Sequence, residues 1–62
     1  MRILKLTRAS TGTPVCINFN NVTSFDPARE GPGSDVFYTG GGYDTVSESL
    51  EKIMEMLRGE DV

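Results

Sequence analysis

Few residues in this 62-residue chain could do chemistry, and their types argue against catalysis. Cys16 is the single cysteine, and the sequence holds no histidine to draw off its proton, so nothing activates it as a nucleophile. Asp26, Asp35 and Asp44 could in principle pair as acid and base, but all three fall in or beside expected turns, where nothing fixes their separation. Gly31-Pro32-Gly33 lacks the Lys-Ser/Thr end of a phosphate-binding loop. The run Gly40–Gly42 precedes a short strand, not a helix N-terminus, and so reads as a hairpin turn. No candidate catalytic, cofactor-binding or metal-ligating residue emerges, and no cofactor or small-molecule ligand is expected. The expected class is a protein that works by contact, and not an enzyme.

Two sets of residues could make such contacts. Arg2, Lys5 and Arg8 are the candidates for nucleic-acid phosphate. Strand periodicity divides them, with Arg2 and Arg8 on one face and Lys5 on the other. Phe37 and Tyr38 are adjacent in an expected strand and are both candidates for a protein interface; one of them faces outward, and Tyr38, with its polar tip, is the better exposed candidate. Met56, off the main apolar stripe of the C-terminal helix, could join that interface. Charge is uneven along the chain. Arg2, Lys5, Arg8 and Arg29 against Asp26 make residues 1–29 +3, whereas Lys52 and Arg58 against eight acids make residues 30–62 −6. Such a polarity can orient a partner.

The elements that must position these residues are short. Residues 2–8 alternate as a half-buried strand, with Leu4 and Leu6 on one face. After a turn at 9–14 with Gly12, residues 15–19 place Val15, Ile17 and Phe19 on one face and form a hairpin with the first strand. Asn20-Asn21 makes a tight turn into a third extended segment, 22–26, ended by Pro27. Residues 27–35, rich in Pro and Gly, form a flexible connection. Strands at 36–39 and 43–46 flank the glycine run. Leu50, Ile53, Met54 and Leu57 recur at i, i+3, i+4 and i+7, which predicts a helix over about 48–58. Ser47 or Ser49 can cap its start, Thr45 with Glu48 matches a capping box one register earlier, and Gly59 supplies a left-handed stop.

These elements predict an α+β fold: a small twisted antiparallel sheet of four to five strands, or a partial barrel if it curls, packed by one C-terminal helix. A single domain spans 1–59, and 60–62 fray. One helix covers one sheet face, so the excess of Leu4, Leu6, Phe25, Val36 and Phe37 asks for curling or for a second copy. The longest apolar runs are far short of the ~20 residues that cross a bilayer, so no membrane insertion is expected. A lone thiol and no signal-peptide pattern fit the cytoplasm.

The order of the segments resembles a bacterial family. ILKLTR at 3–8, a turn with Gly12, VCINFNN at 15–21, the Val22…Phe25 pair, the turn Tyr38-Thr39-Gly40, and Glu48-Ser49 ahead of an amphipathic helix together look like the FlbD-like (YlzI/SwrD) flagellar proteins, or a phage or mobile-element relative of them. The resemblance covers most of residues 3–57 and carries no catalytic residues. It implies a cytoplasmic, non-enzymatic accessory role in support of the flagellar motor. The partner is then another protein or a second copy of the chain. The alternative is a small nucleic-acid-binding or transcription-regulating protein of bacterial or phage origin.

Overall fold

The computed structural model describes residues 2–60. Five strands and one helix follow each other: β1 (Ile3–Thr7), β2 (Pro14–Asn18), a 3-10 turn (Phe19–Asn21), β3 (Val22–Pro27), β4 (Ser34–Tyr38), β5 (Tyr43–Val46) and α1 (Leu50–Glu60). This is the expected α+β fold, an antiparallel array packed against one C-terminal helix. The strands divide into two sheets, a β1–β2 hairpin and a β3–β4–β5 meander. β2 and β3 share no ladder, so no closed barrel forms. Arg8 bridges to Val46, Ala9 donates its amide to the Thr45 carbonyl at 2.9 Å, and Ser47 donates to Thr7 at 2.8 Å, so the end of β1 is tied to β5.

The apolar alternation decides what faces inward. Leu4 stands opposite Ile17 and Leu6 opposite Val15 across the first hairpin. Leu4, Leu6 and Ile17 meet Val36 and Val46 of the second sheet and Ile53 of the helix in one core. The two sheets therefore supply each other's second layer. The apolar excess that asked for a second copy is largely absorbed within the chain.

Gly33 explains why the second sheet starts where it does. Its φ is +110°, and a Cβ there would run into the carbonyl oxygen of Val46. Only glycine lets the chain pass this close and enter β4 at Ser34, whose side chain is fully buried. The connection expected over 27–35 is thus shorter: Ser34 and Asp35 are strand residues, both buried.

Glu48 joins the helix start to β1. Its carboxylate accepts from the Thr7 amide at 2.9 Å and from the Thr7 hydroxyl at 3.0 Å, while its carbonyl accepts from the Ser34 hydroxyl at 2.9 Å. The capping box expected of Thr45 and Glu48 does not form, because both side chains have partners elsewhere. Ser49 is the cap and accepts from the Lys52 amide at 3.1 Å. The helix runs through Gly59, which is not left-handed, to Glu60. Glycine tolerates helical φ as well as positive φ, and nothing packs beside it to force the turn. Of the fray expected at 60–62, residues 61 and 62 lie outside the described residues.

Candidate functional site

The sequence-based candidates are placed apart. Tyr38 is on the inner side of β4: alternation from the buried Ser34 and Val36 carries it inward, where it packs against the core. Its hydroxyl donates to Asp44 at 2.6 Å. Burial first, then this bond to a carboxylate, push its pKa up from 10.0 to about 12. Phe37 is the member of the pair on the outer side, the reverse of the expectation. The helix makes a similar exchange. Met56 is half-buried against the core, and Met54, expected on the packed stripe, is 50% exposed. Phe37, Tyr38 and Met56 thus form no common surface.

Arg2, Lys5 and Arg8 are not gathered either. Arg2 precedes β1 and is exposed, and its carbonyl accepts from the Phe19 amide. Lys5 is exposed on the outer face of the hairpin, opposite Cys16. Arg8 is half-buried and directs its guanidinium to Asp44, with Nη2 3.7 Å from Oδ1. Its Nε is buried and has no hydrogen-bond partner.

What the fold does build is a groove on the outer face of the β4–β5 hairpin, with a volume of about 580 Å³. Its floor follows from register. Asp35 pairs with Thr45 and Phe37 with Tyr43 across the two strands, so the four side chains share one face. The Phe37 and Tyr43 rings lie 5.6 Å apart with planes tilted by 31°. The walls come from loops: Ala9 and Ser10 of the β1–β2 turn, and Arg29 and Glu30 of the β3–β4 connection. The amide of Ala9 on Thr45 holds the first wall. The bond from the Ala28 amide to the Gly33 carbonyl and that from the Arg29 amide to Asp35 hold the second.

Asp35 is the unusual member. It is 6% exposed, yet it is a carboxylate held by neutral donors: the Thr45 hydroxyl at 2.6 Å on Oδ1 and the Arg29 amide at 3.4 Å on Oδ2. Asp26 stands opposite it in the β3–β4 register. Tyr43 is 61% exposed at the groove's open side. The sequence contained a signal for this set: counting by two back from Phe37 reaches Asp35, and forward from Tyr43 reaches Thr45.

Among the described residues no group of three or more His, Cys, Asp or Glu side chains could hold a metal ion, and no helix is long and apolar enough to cross a membrane. No protein-family model matches the chain, and neither a curated protein nor a solved structure matches it.

Proposed function

We propose that this chain is a small, non-enzymatic protein-interaction module, and that its contact surface is the outer face of β4–β5. The observation that supports this reading is the groove itself. Two aromatic rings, one of them mostly exposed, lie side by side between two loops with polar groups around them. Aromatic side chains with a polar rim are the composition of protein interfaces. Phe37 stays a candidate contact residue, and Tyr43 takes the place of Tyr38 and Met56.

The FlbD-like resemblance extends the proposal to a cytoplasmic accessory role in support of the flagellar motor. Two of its motif pieces, ILKLTR and Glu48-Ser49, meet in space through the Thr7–Glu48 bonds, which gives both a structural reason to be present. Flagellar genes beside this one would support that role, and phage genes beside it would point to a mobile-element role instead. The alternative of nucleic-acid binding draws less support, since Arg8 is engaged by Asp44 and Lys5 lies on a different face from Arg2 and Arg8.

Affinity capture from the source cell tests the contact surface. The wild-type chain should retain a defined polypeptide, Lys5→Ala should retain it equally, and Tyr43→Ala should lose most of it. A polypeptide that Tyr43→Ala retains in full would move the contact surface elsewhere.

A further inference from the structure

We infer that the β4–β5 groove receives an arginine side chain from a partner protein. The inference rests on the reading of this face as an interface and specifies the chemistry that the face selects.

The first ground is the buried carboxylate in the floor. A buried carboxylate is costly unless it is paired, and hydrogen bonds from neutral groups offset only part of that cost. Asp35 is buried, accepts from a hydroxyl and one long amide bond, and keeps acceptor capacity, since an ionised carboxylate offers about four lone-pair sites. Asp26 faces it across the β3–β4 ladder, and like charges directly opposite each other repel. Glu30 adds a third carboxylate at the rim. A cation entering the groove meets Asp35 and Glu30, which both line it.

The second ground is independent of the charges. The paired Phe37 and Tyr43 rings present π-surface beside that floor, and a guanidinium stacks on aromatic faces while its planar fork matches a carboxylate. Lysine offers a point charge without the plane. Arg29 lines the same groove, and its like charge opposes an incoming arginine.

Amide NMR titration of the whole chain with blocked pentapeptides, one residue flanked by glycines, tests this. The arginine peptide should shift residues 35, 37, 43 and 45 saturably, the citrulline peptide of equal shape but no charge should not, and the lysine peptide should bind more weakly. Tyr43→Ala, at an exposed position that leaves the core intact, should weaken the arginine peptide about 3- to 10-fold, the loss of one cation–π contact. Arg29→Ala should tighten it. Equal shifts from the citrulline peptide, shifts confined to the acidic helix, or an unchanged affinity in Tyr43→Ala would overturn the inference. So would self-association of the purified chain that buries Tyr43, which would assign the groove to a second copy. If capture from the cell depends on Tyr43 but the arginine peptide leaves the groove unshifted, the interface stands and the arginine falls. If neither depends on Tyr43, both fall.

Discussion

The outward faces of the two hairpins are built from the same material and come out differently. On β1–β2, Ile3, Lys5 and Cys16 lie exposed on the outward face. On β4–β5, Asp35 and Phe37 occupy the corresponding outward positions, yet Asp35 is buried and Phe37 half-buried. Strand chemistry does not account for this, since a carboxylate is a poorer candidate for burial than an isoleucine. The difference lies in the loops. Ala9 and Ser10 close over one side of β4–β5 and Arg29 and Glu30 over the other, each tied down by backbone hydrogen bonds. In a domain this small, a recess is made by turns that fold back over a sheet.

The two regions differ most sharply at their glycines. Gly33→Ala places a methyl group in the Val46 carbonyl at a positive φ, and we expect it to cost about 3 kcal/mol or more and to open the second sheet at its first residue. Gly12→Ala, at φ +74° with open space around it, should cost only about 1–2 kcal/mol. Urea unfolding of the two variants measures both. Equal costs would mean that β4 does not depend on the close approach at Val46.

A smaller effect sharpens the contrast between the outer faces. Thr45→Val removes the hydroxyl that satisfies the buried Asp35 and should cost about 1–3 kcal/mol. Cys16→Ser, on the open face, should stay within about 0.5 kcal/mol of the wild type. Thermal melts of both variants check this, and a neutral Thr45→Val would show that water reaches Asp35.

The inner side of β4 gives an effect visible only at high pH. Tyr38 holds its proton up to about pH 12 in the fold, against 10.0 for the ordinary phenol. As pH rises from 10 to 12 the unfolded chain releases this proton while the folded chain retains it, so stability is complete below pH 10 and declines across that window. An ultraviolet titration should show one phenol ionising near 12, and Tyr38→Phe should abolish that component together with its share of the decline.

How far the sequence was legible follows the same division. β5 was bounded correctly at Tyr43–Val46, because the glycine run fixes its start, and the first hairpin followed from the alternation around Leu4, Leu6 and Ile17. On the helix, the apolar spacing points to Ile53, which is buried, and to Met54, which is exposed while Met56 packs on the core. A stripe at 3.6 residues per turn can widen to either side, and only the surface it meets decides which. In the sequence Asp35 reads as part of a flexible loop, because its burial depends on Thr45, ten residues away, and on Gly33, whose role is a backbone approach without a sequence signature. The walls of the groove come from residues 9–10 and 29–30, which no local pattern joins.

We propose that the covered face of β4–β5, and not the open face of β1–β2, is the working surface. Photocrosslinking in the source cell tests it directly, with a benzophenone side chain placed at position 43 in one protein and at position 16 in another; both positions are exposed, so neither change should disturb the fold. A discrete adduct with another polypeptide is expected from position 43 and none from position 16. An adduct from position 16 alone would contradict it.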